Sequence, residues 1–297
     1  MNILSKVLSS AVCAITLLSS AGYAQNSVTV DFDKQVPAVR ITATPVLDGI
    51  LSPGEWSGAA IITDLHQLRP VDHGNPSQKT IIYVAYDDDF LYVAAEMLDT
   101  DPSNIVANQM VQGGSTHQDD AFKVYLGPFN NKRSGYVFKI NPNDVRNEGI
   151  FVEGTERGVD MNWRGIWNAK TSRTATGWIA EVAIPFKSLS FNSNNDTWGI
   201  SFGRDIGRGN ERIAWTSYNR RTKPDSMGEL VGIEGIKQGM GLDIKAEMSV
   251  SHNKDYETGK NSMEFRPSVD AFYKITPSLT AVLTANTDFS AVDVDDQ

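Results

Sequence analysis

The chain has 297 residues, of which 40% are hydrophobic and 21% are charged, and its formal net charge is −9. This composition is typical of globular proteins and argues against wholesale disorder. The acidic balance argues against a nucleic-acid-binding protein, because phosphate recognition needs a basic face. The single cysteine excludes an internal disulfide and a cysteine-rich zinc site.

The first 24 residues have the layout of a secretory signal peptide. Lys6 precedes a mostly apolar run over 7–18, and small residues lead to a cleavage point before Gln25. The run is shorter than the roughly 20 apolar residues that a membrane-spanning helix needs. We therefore expect an exported protein, located in the periplasm or outer membrane of a Gram-negative bacterium.

Short strand patterns separated by turn residues follow from 28 to 236. A hairpin is predicted where two β-rich runs flank Asp87, Asp88 and Asp89. Further strands are predicted at 121–126, 136–141, 178–184, 197–204 and 213–218. Only 102–110 and 185–189 suit brief helices. The pattern predicts an all-β fold, an antiparallel two-sheet β-sandwich.

After Gly239 the strands become longer and alternate strictly between apolar and polar residues. The alternating runs lie at 242–250, 265–275 and 279–289. Such strands are typical of a transmembrane β-barrel, which closes with about eight strands or more. We expect 237–297 to be the beginning of an outer-membrane barrel that continues beyond Gln297. The alternative is that these strands extend the sandwich.

Four motifs in the first region, taken in order, resemble the family 9 carbohydrate-binding modules. They are Leu47-Asp48-Gly49 with Glu55-Trp56, then 84–94, 119–126 and Gly177-Trp178 through Ile184-Pro185. The resemblance implies a jelly-roll-like sandwich over 25–236 that binds an oligo- or polysaccharide. It also implies an association with carbohydrate catabolism by glycoside hydrolases. Segments 276–280 and 286–292 are similar to the start of an uncharacterised family of envelope β-barrels, in which such a sandwich precedes the barrel.

Sugar recognition needs flat apolar rings surrounded by polar groups that bind hydroxyls. Our hypothesis is that Trp163 and Trp215 form a stacking platform, supported by Arg204, Arg212 or Asn219. The alternative is that both tryptophans are packing residues, since aromatic side chains are most often buried.

Two acidic clusters are candidates for a structural Ca²⁺ site. Asp87, Asp88 and Asp89 form one cluster, and Asp119 with Asp120 forms the other. Calcium takes 6–8 oxygen ligands, and the resemblance to the family 9 modules implies that this chain binds it. The alternative is a solvated turn, in which aspartate is favoured for its local hydrogen bonds.

No catalytic motif stands out in the sequence. The carboxylates offer no spacing that singles out a glycosidase pair, and neither a nucleophile elbow nor a zinc-hydrolase motif is present. We therefore expect non-catalytic carbohydrate binding at the envelope. A structural or plug module that binds no sugar is the first alternative, and a hydrolase acting on O-glycosyl bonds is the second.

Overall fold

A computed structural model of the chain describes residues 33–151, 158–236, 242–254, 261–276 and 279–285. The predicted signal peptide at 1–24 lies outside the described residues. Within the part of the chain that the structure describes, no helix is long and apolar enough to cross a bilayer.

The described residues form strands joined by loops and by single 3₁₀ turns. In chain order the strands are β1 (Gln35–Pro37), β2 (Ala60–Ile62), β3 (His66–Arg69), β4 (Thr80–Tyr86), β5 (Phe90–Leu98), β6 (Ala121–Gly127), β7 (Gly135–Ile140), β8 (Arg146–Phe151), β9 (Val159–Asp160), β10 (Asn168–Thr174), β11 (Gly177–Pro185), β12 (Thr197–Ile206), β13 (Glu211–Ala214), β14 (Gly228–Val231), β15 (Leu242–Lys254), β16 (Asn261–Thr276) and β17 (Leu279–Ala285). The 3₁₀ turns are Pro102–Asn104, Phe186–Ser188, Gly207–Gly209 and Pro224–Ser226.

Strands β1 to β14 form two sheets that face each other. The larger sheet has the order β1-β14-β12-β6-β7-β8-β9, with β13 paired to β12 and β3 paired to β13, and the smaller has the order β10-β11-β5-β4-β2. Neighbouring strands are antiparallel except for the parallel pair β1 and β14. One buried cluster contains Val84 and Val93 of the smaller sheet together with Phe122 and Phe202 of the larger. The predicted two-sheet antiparallel sandwich is therefore confirmed.

The two-residue period of β6 separates the core from the outer face of the larger sheet. Phe122, Val124 and Leu126 are at most 1% exposed and belong to the core. Lys123 and Tyr125 alternate with them and therefore point to the opposite face. The outer face of the larger sheet thus carries polar and aromatic side chains.

Two local predictions differ from the structure. The strand predicted at 213–218 ends at Ala214, because a tight turn pairs Tyr218 with Arg221 through two backbone hydrogen bonds. Asn219 and Arg220 fill this turn with positive φ angles of 49° and 61°. The brief helix predicted at 102–110 is reduced to the single turn Pro102–Asn104.

The last three strands form a separate antiparallel sheet in the order β15-β16-β17. Their pairing places apolar residues opposite each other, for example Leu242 with Tyr273 and Val250 with Phe265. These four side chains are between 46% and 61% exposed. The runs predicted at 242–250 and 265–275 and the first part of that at 279–289 are strands, and they present exposed apolar side chains; 286–289 lies outside the described residues.

Candidate functional site

A cleft of about 820 Å³ opens on the outer face of the larger sheet. Its floor comes from β6, β7, β8, β12 and β13, whose outward side chains meet there. Its walls come from β3 and from the loops around 115–117, 132–133 and 220–225. A site of this size accommodates a ligand of several sugar units and is within the usual range for small-molecule pockets.

The polar part of the floor is centred on Asp205 of β12. Lys123 Nζ lies 2.6 Å from its carboxylate, Lys139 Nζ lies 3.6 Å away and Arg212 Nε lies 4.0 Å away. Burial alone would raise the pKa of Asp205, but the charges of Lys123 and Lys139 outweigh burial and lower it. Burial and the nearby charge of Lys123 lower the pKa of Lys139 to about 8. One carboxylate therefore holds three cations together.

The aromatic part of the floor consists of Tyr125 on β6 and Phe151 at the end of β8. Their ring centroids are 6.1 Å apart, and both side chains are partly exposed. Asn147 and Val137 line the same region of the cleft. Ring faces beside amide and charged groups are the combination that sugar recognition requires, because pyranose C–H surfaces stack on rings while hydroxyls bind polar groups.

The predicted tryptophan platform is wrong for Trp215 and Arg204. Trp215 is 3% exposed, packs against Phe202 and donates its indole N–H to Asp64 Oδ1 at 3.1 Å. Arg204 is 0% exposed and donates to Lys79 O and Thr80 Oγ1 in the core. Neither side chain is able to contact a ligand from solvent. For Trp215 the packing alternative holds.

The other three predicted binding residues lie at different places. Trp163 is partly exposed, and its ring lies 5.0 Å from that of Tyr136, against the core side of β7. Asn219 is exposed in the tight turn after β13. Arg212 lines the cleft. The structure therefore brings only Arg212 of the five predicted residues into this site.

Most of the residues that line the cleft were difficult to identify from sequence patterns. Tyr125 and Lys123 alternate with buried residues of β6, so strand periodicity alone places them on the outer face. Their meeting with Asp205 and Phe151 depends on the pairing of β6 with β12 and of β7 with β8. Sequence spacing does not give that pairing.

The two acidic clusters predicted to bind calcium lie at opposite ends of β5. Asp87, Asp88 and Asp89 precede this strand, whereas Asp120 is hydrogen-bonded to Gly207 N beside Arg208, which binds Asp99 at the far end. A nine-residue strand spans about 30 Å. The two clusters therefore do not share one ion.

Each acidic cluster already has hydrogen-bond donors or a cation. Asp87 accepts from Asp89 N, Phe90 N and the Tyr92 hydroxyl, each at 2.8 Å, and Asp88 is paired with Arg40. An ion at this turn would have to displace these donors. These contacts are those of a capped turn.

Three of the four carboxylate oxygens of the second cluster accept hydrogen bonds, whereas Asp120 Oδ1 is buried without a partner among the described residues. Asp119 accepts hydrogen bonds from Asn108 N, Gln109 N and Asn141 Nδ2. Asp120 accepts from Val106 N and Gly207 N, and burial raises its pKa. Within the described residues, no group of three or more His, Cys, Asp or Glu side chains has the arrangement of a metal site. The residues present therefore do not fit the predicted calcium site.

Glu181 connects two of the sequence motifs. Its carboxylate is fully buried on β11 and accepts hydrogen bonds from Asp48 N at 3.1 Å, Gly49 N at 2.8 Å and Trp56 Nε1 at 3.3 Å. Burial raises the pKa of Glu181, while these donors oppose the rise. The motif around Leu47 to Trp56 thus covers the outer side of β11, which explains why every residue of that strand is buried.

The fold and the cleft define a two-sheet β-sandwich module with a cleft on the outer face of its larger sheet. A family model described as carbohydrate family 9 binding domain-like matches residues 47–232, and the chain belongs to this family. A search of curated proteins finds no match.

Solved structures to which this chain is similar include proteins from two bacteria. A protein from Bacteroides uniformis, described as a candidate carbohydrate-binding protein, has 12% identity and a TM-score of 0.51, covering 69% of this chain and 99% of that one. A family 9 module from Caldicellulosiruptor kristjanssonii in complex with cellotriose has 17% identity, a TM-score of 0.48 and coverage of 69% and 94%. The same module in complex with glucose has 18% identity and a TM-score of 0.48, covering 69% of this chain and 96% of that one.

Proposed function

We propose that this protein binds carbohydrate without hydrolysing it, using the cleft on its larger sheet. The observation that carries the proposal is the family match over 47–232, because that range includes every strand of the cleft floor. The cleft itself supplies the two features that sugars require, which are the rings of Tyr125 and Phe151 and a set of polar groups.

We further propose that binding takes place at the envelope of a Gram-negative bacterium. The signal-peptide pattern at 1–24 supports export, and the alternating strands β15 to β17 support attachment to the outer membrane as part of a barrel. A role beside glycoside hydrolases in carbohydrate catabolism is consistent with this location.

The two alternatives have less support. A plug module that binds no sugar does not explain the aromatic and polar lining of the cleft. A hydrolase acting on O-glycosyl bonds needs two free carboxylates across a cleft. Of the carboxylates that line this cleft, Asp205 is held by Lys123 and Asp225 lies on the rim loop.

Replacement of Tyr125 tests the proposal. We expect Tyr125→Ala to weaken oligosaccharide binding by the full chain about tenfold, because the stacking ring is lost; tenfold corresponds to about 1.4 kcal/mol. The measurement is calorimetric titration with the oligosaccharide that binds best on a glycan array. Tyr273→Ala, which removes an exposed ring from β16, is the matched control and should leave affinity unchanged. Absence of binding to every glycan on the array would reject the proposal.

A further inference from the structure

The cleft is strongly basic although the protein is acidic. Among the residues that the structure describes, nine lysine and arginine side chains line it, against two carboxylates, Asp205 and Asp225. These nine are one third of the 27 cations in a chain whose net charge is −9. Chance placement of surface charge on an acidic protein does not favour such a concentration. The distribution indicates a site whose potential attracts anions.

The positive charge at the floor exceeds what the protein itself neutralises. Asp205 is shared by Lys123, Lys139 and Arg212, so three cations face one carboxylate. The pKa of Lys139, lowered to about 8 by burial and by the charge of Lys123, is consistent with this excess. A bound anion would supply the missing negative charge.

The rim adds five cations for which the described part of the chain holds no ion-pair partner. Lys132 and Arg133 come from the loop between β6 and β7, while Arg220, Arg221 and Lys223 come from the loop between β13 and β14. Among the described residues, no carboxylate forms a salt bridge with any of these five. They are exposed and face the cleft from two sides, so they are free to bind charged groups of a ligand.

The volume and the lining residues of the cleft indicate which class of anion fits it. A volume of about 820 Å³ is far larger than a single phosphate or sulfate needs. The partly exposed rings of Tyr125 and Phe151 favour a ligand that also has flat apolar surfaces. A long nucleic acid is disfavoured, because beyond the cleft it would meet the negative charge that dominates the rest of the protein.

We propose that the cleft binds an acidic glycan, whose carboxylate or sulfate groups contact the cationic rim while its sugar rings lie against Tyr125 and Phe151. This inference rests on the proposed carbohydrate binding and specifies the class of sugar. Carboxylate and sulfate share the charge that the rim recognises, and the experiment separates them.

Binding of four ligands, each about six units long, to the full chain is measured by calorimetric titration at 50 mM and 200 mM NaCl. They are neutral cellohexaose, hexagalacturonate, sulfated cellohexaose and a single-stranded oligothymidylate. We expect at least one acidic sugar to bind ten or more times more tightly than cellohexaose. Its affinity should fall at least fivefold at the higher salt concentration, because exposed charges are screened.

Charge reversal at the rim gives the matched comparison. The double variant Arg220→Glu with Arg221→Glu should weaken binding of the acidic sugar at least tenfold, and by a factor at least five times larger than the factor by which it weakens binding of cellohexaose. The control, Lys79→Glu with Arg173→Glu, makes the same change in net charge at exposed positions outside the cleft and should leave both affinities unchanged. Unchanged melting temperatures verify that the variants are folded.

The outcomes separate this inference from the proposed function. Equal affinity for cellohexaose and both acidic sugars would overturn the inference and leave the proposed function standing. Absence of binding to all three sugars would overturn both. Tighter binding of oligothymidylate than of either acidic sugar would also overturn the inference, since the cleft would then be a nucleic-acid or general polyanion site.

Discussion

His66 is a buried histidine whose environment disfavours its charged form. It is 2% exposed, and its Nε2 lies 2.7 Å from Ser217 Oγ. Burial, together with the nearby His73 and Lys34, lowers its pKa from 6.5 to about 4. Between these two values the unfolded chain binds more protons than the folded protein, so stability falls as pH decreases from 6.5 towards 4.

The expected consequence is a pH-dependent loss of stability that His66 contributes. At about 1.4 kcal/mol per pKa unit, the loss is at most about 3.5 kcal/mol. Urea denaturation at pH 7.0 and pH 4.5 should show a smaller decrease for His66→Gln than for the wild type. His117→Gln, at an exposed position, should retain the wild-type decrease. Identical decreases in all three proteins would contradict this assignment.

Glu181 is the residue on which the covering segment 47–56 depends. Glu181→Ala would leave the Asp48 and Gly49 amides and the Trp56 indole N–H without their acceptor. Each unsatisfied buried donor costs up to about 3 kcal/mol. Because the structure relaxes around the missing side chain, the total is smaller than the sum of the three. We therefore expect a loss of about 2–4 kcal/mol in the free energy of unfolding. Glu96→Ala, at a partly exposed position on β5, should cost less than about 1 kcal/mol. Equal losses would show that the three hydrogen bonds contribute little.

At the scale of elements, the hairpin of β10 and β11 depends on a glycine at its turn. Gly177 has a φ of 151°, and a Cβ added there would lie 2.1 Å from Met97 O on β5. Gly177→Ala would therefore push β11 away from the central strand of the smaller sheet. We expect a loss of about 2 kcal/mol or more, seen as a decrease in melting temperature of roughly 5 °C.

Gly209→Ala is the matched control for this element. Its Cβ would meet nothing closer than 4.0 Å, and its φ is not in the left-handed region. Its melting temperature should stay within about 2 °C of the wild type. A similar decrease in both variants would argue against the steric explanation.

At the scale of the whole molecule, the exposed apolar face of β15 to β17 allows the proposed membrane attachment to be tested. Met248 and Val250 are 69% and 52% exposed on β15. If this face meets lipid, Met248→Glu with Val250→Glu should reduce co-sedimentation of the full chain with phospholipid vesicles several-fold, because charge in a lipid-facing strand is costly. The control, Ser249→Glu with Ser251→Glu, places the same charges at positions that alternate with 248 and 250 along the strand, and it should have a smaller effect. Equal effects of the two pairs would argue against a lipid-facing sheet.

Strand periodicity and turn residues were sufficient to predict the sandwich. The hairpin of β4 and β5 and the pairing of β6 with β7 follow from short-range patterns, because neighbouring strands in the chain pair through local turns. The end of β13 at Ala214 was not predictable in the same way. It depends on the turn that pairs Tyr218 with Arg221, within a segment that also carries strand-like residues.

The sequence by itself determined the all-β class, the family motifs and the polar outer face of β6, because these depend on local periodicity and residue type. Only the tertiary structure decided which side chains share a surface. Trp215 and Arg204, which the sequence had favoured for binding, are buried. The ring of Tyr125 lies beside that of Phe151, and three cations lie beside Asp205. The physical reason is that strands distant in sequence, such as β6 and β12, become neighbours only through long-range pairing and core packing.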